Sequence, residues 1–371
     1  MGAFPTPGLT GVARTTGRAS APRKPVAGGE DAPDHERMLP ETGRRAAGPP
    51  AEDLSSPPAV GVRLPWAAAP ARLRQAIETD LGSPVVEAVT QPGGFSPGVA
   101  SRLLLADGRR AFVKAVGSEP NPEAPELHRA EARITASLPP EAPTPRLLAS
   151  YDLDGWVTLV LEDVDGVMPA QPWRDDELER VLDALADLAT ALTPSPVEAP
   201  SLSARQGGSF QGWRNARAER DRGDELDWLD PWTRRNLDRL VSLEAGWERA
   251  AAGSTLLHAD LRADNLLLTP DRVVVVDWPW ACVGAPWVDL LAMLPSVRMQ
   301  GGPDPEGVLA AHPVARGADP EAVTAVLATL AGFFVWLAHL PSPPGLPTVR
   351  AFQSAQGRVA LGWLRSRTGW A

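Results

Sequence analysis

The sequence predicts an α+β chain in two lobes, an antiparallel sheet followed by a mainly helical part. Three observations predict it. From Val85 to Leu161, short runs rich in β-branched and apolar residues alternate with Gly, Asp and Pro turns, the pattern of successive hairpins. From Asp176 onward, apolar residues recur at helical spacing. Between the helices, Leu256 to Leu290 contains a short hairpin with Asp260 ahead of it and Asp277 at its end. The expected divisions are a Pro/Gly/Ala-rich tail at 1–60, a sheet lobe at 61–163 and a helical lobe at 164–371.

A length of 371 residues with 43% hydrophobic content is ample for a sizeable core. The single cysteine, Cys282, excludes an intramolecular disulfide framework and fits a reducing compartment, so a cytoplasmic location is expected. A net charge of −10 and a pI near 5.1 argue against a nucleic-acid partner. The same charge suits a cationic substrate, although many cytoplasmic chains are acidic. The tail carries too few apolar residues to offset the entropy of ordering and is expected to be disordered. It lacks the continuous apolar stretch of a signal peptide. Met1-Gly2-Ala3-Phe4-Pro5-Thr6 formally matches a myristoylation pattern of little weight, and Met38 is an alternative start.

In the sheet lobe, Pro70–Leu81 reads as a helix stopped by Gly82. Strands follow at Val85–Val89, Val99–Leu105 and Ala111–Val116, the last two joined at Asp107-Gly108. The turn between the first two strands contains Gly94-Phe95-Ser96-Pro97-Gly98, which formally fits a hydrolase nucleophile elbow. A strand-like run follows where the elbow needs a helix, and Pro97 has no N–H to serve an oxyanion hole, so that reading is rejected. Gly93, Gly94 and Ser96 instead suit a flexible loop whose backbone N–H groups cover nucleotide phosphates. Glu126–Leu138 is a helix with Leu127, Glu131, Ile134 and Leu138 on one face. Strands at Arg146–Tyr151 and Trp156–Leu161 lead into Glu162–Gly166, a connection whose backbone offers an edge to a nucleobase.

The helical lobe opens with a strongly amphipathic helix at Asp176–Leu192. Further helices are expected at Gly207–Arg222, Pro231–Ala251 and from Pro286 on. Asp221, Asp224, Glu225 and Asp227 read as a solvated surface that could also meet a cationic substrate. Ala322–Ala338 carries no charge but is shorter than the roughly 20 residues of a membrane span, so it is expected as a buried helix.

Residue types at three places carry the chemistry. Leu266–Leu268 and Val273–Val276 fold back through Thr269–Arg272, bringing Asp277 towards Asn265. That gives a carboxylate–carboxamide pair of hard oxygens suited to Mg²⁺, with Asp260 left to face a substrate. Of 36 basic residues only Lys24 and Lys114 are lysines, so Lys114 stands where a point charge serves and a planar guanidinium does not. Glu131, a carboxylate on an apolar helix face, needs a partner, and Lys114 is the expected one. Together these point to phosphoryl transfer, in which positioning and charge neutralisation supply most of the catalysis.

The order of these motifs resembles the aminoglycoside phosphotransferase family of the protein-kinase-like fold. The resemblance runs from about Val85 to about Leu294: the Gly-Gly-Phe-Ser loop, Phe-Val-Lys, Glu131, His258-Ala259-Asp260 with Asn265, and Asp277-Trp278. It implies a bilobal kinase-like fold and transfer of the γ-phosphoryl group of ATP or GTP to a hydroxyl of an aminoglycoside-like or other small molecule. It further implies Asp260 as catalytic base, Lys114 on the α- and β-phosphates and paired with Glu131, Asn265 and Asp277 on Mg²⁺, and His258 and Asp289 bracing the loop. Ala259 departs from the Arg of protein kinases and the Gly common in the small-molecule branch. Trp278-Pro279 replaces Phe-Gly, which does not support a protein-kinase-type activation switch, and Ala285 stands where many relatives have Asp. A choline-, homoserine- or macrolide-type kinase of the same fold and a non-catalytic nucleotide-binding protein are the alternatives. Neither a membrane partner nor an oligomeric state follows from the residues.

Overall fold

The computed structural model describes residues 57, 63–92, 98–119, 124–343 and 346–371. The expected tail, apart from Pro57, and the loop residues Gly93, Gly94 and Ser96 lie outside the described residues.

The chain enters the sheet through β1 (Arg63–Leu64), a one-turn 3₁₀ segment at Trp66–Ala68 and α1 (Ala71–Leu81). Gly82 ends α1 at φ 70°, a left-handed conformation that costs a residue without Cβ little. Then come β2 (Val85–Thr90), β3 (Gly98–Leu105), β4 (Arg110–Val116), α2 (Ala124–Ser137), β5 (Leu147–Leu153) and β6 (Trp156–Glu162). The sheet order is β1-β3-β4-β6-β5, with β2 also on β3, and β1–β3 is its one parallel pairing among the described strands. Alternation divides the sheet into two faces. Val99, Leu103, Ala111, Val113, Ala115 and Val160 pack with Trp66, Leu73 and Ile77 in a small core. Ala100, Arg102, Phe112, Lys114 and Leu161 line a cleft instead. The expected buried stripe of α2 is rotated by about one position. Leu127 and Leu138 are half-buried, while His128, Glu131, Ile134 and Thr135 are buried.

The helical part comprises α3 (Asp175–Ala191), α4 (Leu202–Gln206), α5 (Gly212–Asp221), α6 (Pro231–Glu244) and α7 (Trp247–Ala250). The segment expected as one helix at Gly207–Arg222 is therefore turn and α5, and the one at Pro231–Ala251 breaks at Ala245-Gly246. Next come β7 (Thr255–Leu257), a 3₁₀ turn at Ala263–Asn265, β8 (Leu266–Leu268), β9 (Val273–Val275) and β10 (Cys282–Gly284). β8 and β9 form the expected hairpin; β7 pairs with β10. The chain ends in α8 (Val288–Met299), α9 (Pro305–Ala311), α10 (Pro320–His339) and α11 (Val349–Thr368). Among the described residues α10 alone is long and apolar enough to cross a membrane, and 67% of its most apolar window is buried within the fold. Trp213, Trp247, Trp278 and Phe333 are the largest fully buried side chains of the core it belongs to.

Candidate active site

The cleft beneath the sheet has a volume of about 840 Å³ and brings together residues from both lobes. β4 delivers Lys114 from the face opposite the small core. Its Nζ lies 2.7 Å from Glu131 Oε1 and 2.6 Å from Asp277 Oδ1. The pairing with Glu131 matches the sequence expectation; the shared bond to Asp277 was not expected. Burial lowers the ammonium's affinity for its proton, but the two carboxylates outweigh burial and raise it. Burial raises the pKa of Glu131, with Lys114 opposing. At Asp277 burial also acts upward, but Lys114 prevails and holds the carboxyl below the usual range.

Asp264, Asn265 and Leu267, after β7, form the other wall, while His258, Asp260 and Asp289 are buried and are not among its lining residues. Asp289, near the start of α8, accepts the backbone N–H groups of His258 at 2.7 Å and Ala259 at 2.8 Å. Burial pushes its pKa up to about 6, with those two bonds opposing. His258 Nδ1 accepts from the Asp260 N–H at 3.2 Å, so Nε2 carries the ring proton and donates to Val276 O at 3.0 Å. Burial lowers the pKa of this imidazole to about 4. Asn265 donates through Nδ2 to Asp260 O at 2.8 Å, and its backbone O accepts from Val276 N at 3.0 Å. The hairpin thus brings Asn265 and Asp277 to one cleft wall, as expected.

Asp260 differs from the expectation of a carboxylate with nothing beside it. Its Oδ1 meets Arg262 Nη1 at 2.7 Å, with both side chains buried. Arg262 also holds Asp264, at 2.9 Å and 3.0 Å, and stands 5.7 Å from the Phe352 ring of α11. Sequence reasoning passed over Arg262, though an arginine two residues from each of two aspartates was a readable signal. It also passed over His128, which α2 turns into the cleft, and Arg63, which lines it from β1. Glu162 ends β6 at the cleft with its carboxylate on Arg146, 3.2 Å away. Phe112, Leu161, Val164 and Leu267 give that part of the lining an apolar character.

Two further expectations resolve. Of the acidic residues of 221–227, Asp221, Asp224 and Asp227 form exposed ion pairs with Arg220, Arg222 and Arg234, and none lines the cleft. Ala285 is buried in the helical core, its N–H bonded to Ala251 O, and does not line the cleft either.

Two oxygens of the kind Mg²⁺ takes stand on the cleft, although among the described residues no group of three or more His, Cys, Asp or Glu side chains forms a metal cluster. Asn265 spends its amide N–H on Asp260, and Asp277 spends one oxygen on Lys114, so Asn265 Oδ1 and Asp277 Oδ2 are hard oxygens on the same cleft.

No curated protein matches the chain. A thermostable mutant of aminoglycoside phosphotransferase APH(4)-Ia, solved as a ternary complex with AMP-PNP and hygromycin B, superposes with a TM-score of 0.53 at 13% identity, over 81% of this chain and 100% of that one. Choline kinase LicA from Streptococcus pneumoniae gives 0.51 at 14% identity, over 80% and 98%. A choline/ethanolamine kinase family protein from Mesorhizobium loti gives 0.51 at 15%, over 76% and 90%. At these identities the structures establish a shared kinase-like bilobal fold. The APH family model, described as the phosphotransferase enzyme family, matches residues 93–326 and so takes in Lys114, Glu131, Asp260, Asn265 and Asp277. Because that match spans more than half of the chain, the chain belongs to the phosphotransferase enzyme family.

Proposed function

We propose that the protein transfers the γ-phosphoryl group of ATP (or GTP) to a hydroxyl group of a small molecule. One observation carries the reading: a buried ammonium bridges two carboxylates from different lobes, in the cleft that Asn265 lines while its amide holds the Asp260 backbone. Lys114, held by Glu131, contacts the α- and β-phosphates. Asn265 and Asp277 would hold Mg²⁺, which would supply charge neutralisation for the nucleotide's phosphates. The apolar wall around Phe112, Leu161 and Leu267 receives the nucleobase, beside the Glu162–Val164 backbone.

Asp260 faces the acceptor hydroxyl. A reference carboxyl pKa of about 3.9 is too low to remove an alcohol proton early. In a loose transition state it orients the hydroxyl and takes the proton late. His258 and Asp289 fix the backbone leading into it.

Neighbours of this fold include proteins named for aminoglycosides and for choline, so the fold leaves the acceptor open. A screen of Mg-ATP consumption over hydroxylated small molecules, with GTP as the alternative donor, selects among them and removes the non-catalytic alternative on the first turnover. Asp260→Ala abolishes transfer while AMP-PNP still binds; unchanged turnover in that variant sinks the assignment.

A further inference from the structure

We infer that Arg63 is a second cation of the nucleotide site, brought beside Lys114 by β1 to meet the phosphates. The inference rests on the nucleotide-binding reading above and extends it to a segment ahead of the matched residues 93–326.

The placement follows from register. β1 runs parallel to β3, with Arg63 opposite Gly98 and Leu64 opposite Val99. Leu64 packs against the small core and Val99 belongs to it. Successive side chains of a strand point to opposite faces, so Arg63 takes the face opposite that core. Lys114 shares that face, since its partner Ala100 is two residues along β3 from Gly98. The partner of Arg63, Gly98, brings no side chain to compete for the space. Both Arg63 and Lys114 line the cleft, as does Pro57 from the same segment. Trp66, buried just after β1, anchors that segment in the small core.

The electrostatics agree with the geometry. Burial lowers the pKa of Arg63 and the charge of Asp277 opposes this, while Arg63 is among the charges that depress His128. The guanidinium thus shares the field of the Lys114–Glu131–Asp277 cluster. Lys114 alone is one positive charge against two carboxylates, and a net negative cluster repels a polyphosphate. Arg63 offsets that excess. A guanidinium fork matches phosphate oxygens in bidentate fashion.

The test compares a charged and an uncharged ligand in the full chain. Calorimetric titration of wild type and Arg63→Gln uses AMP-PNP with Mg²⁺, and separately adenosine. The expected loss is on the order of tenfold in AMP-PNP affinity with adenosine held within about twofold, and Arg63→Lys recovers part of the loss. Equal AMP-PNP affinity in Arg63→Gln overturns the inference. So does an equal loss for adenosine, which is what a purely structural role would give. Absence of AMP-PNP binding to the wild type overturns the nucleotide reading itself, a distinguishable failure. If Arg63→Gln does not fold, phenylglyoxal labelling of the wild type takes its place. AMP-PNP with Mg²⁺ protects Arg63 where adenosine does not, and identical labelling rates overturn the proposal.

Discussion

Lys114 is one ammonium shared by two carboxylates, and the three groups are unequal. Glu131 is buried to 3% side-chain exposure, whereas Asp277 reaches the cleft at 29%. Removing the ammonium therefore costs most at Glu131. Lys114→Met leaves a buried carboxylate unpaired, a loss of about 3 kcal/mol in unfolding free energy. It also lowers kcat/KM, because the phosphates lose their contact. Adding Glu131→Gln restores much of the stability and none of the activity. A double-mutant cycle by urea unfolding checks this, and strictly additive losses would show that the pair is not coupled. Two residues nearby carry backbone strain: Ala259 at φ 61° and Asp277 at φ 73°. The Asp289 carboxylate holds the first by its N–H, and Lys114 holds the side chain of the second. The left-handed backbone gives a physical reason why Gly is common at the position of Ala259 in the small-molecule branch.

Among the helices, the crossing of α5 and α10 is closed by glycine on both sides. A Cβ on Gly212 would run into the backbone O of Gly332, and one on Gly332 would run into the Trp213 indole. Trp213 is itself fixed, with Nε1 donating to Ala328 O at 2.7 Å. Backbone cannot swing aside as a side chain can, so Gly212→Ala separates the helices. The expected cost is about 3 kcal/mol, at the upper end of overpacking, read by thermal unfolding. An unchanged midpoint would mean that the two helices can part freely. The same scale explains what the sequence displayed. The long periodic helix α3 and the hairpin around Asp107-Gly108 were legible because each carries its own period and turn chemistry. Glu131 was legible as a charge on an apolar face. The phase of α2 was not: His128 sits where the apolar count favoured Leu127, and polarity alone does not reveal a buried imidazole. Strands of two or three residues, such as β1, β7 and β10, have no period to read, and long-range pairing alone defines them. For the same reason Arg63 was invisible as a cleft residue, and the Lys114–Asp277 bond, which joins two lobes, follows only from their docking.

At the scale of the whole molecule, buried titratable groups pull against one another. Burial lowers the pKa of both His128 and His258 to about 4, from 6.5. Once unfolded, each takes up its proton at the higher value, so acidification from pH 6.5 towards 4 favours the unfolded chain. The loss is about 3 kcal/mol per histidine. Asp289 works in the other direction. Its pKa rises from 3.8 to about 6, so between those values the folded chain holds a proton that the unfolded chain has released, and acidification favours folding. Glu131, also raised by burial, acts with Asp289. Across this window the two histidines and the two carboxyls pull in opposite directions, and every member is strongly perturbed. Removing one member exposes its opponents. His128→Gln keeps an acceptor and donor on α2 but takes up no proton. Relative to wild type its unfolding free energy rises by about 3 kcal/mol as pH falls from 6.5 to 4. Asp289→Asn tilts the curve the other way, on top of a constant cost from losing one of the two N–H acceptors beneath the catalytic loop. Urea unfolding of the three proteins at stepped pH reads the difference directly. Parallel curves for His128→Gln and wild type would mean that the imidazole reaches water in the folded chain and that α2 does not bury it against the cleft.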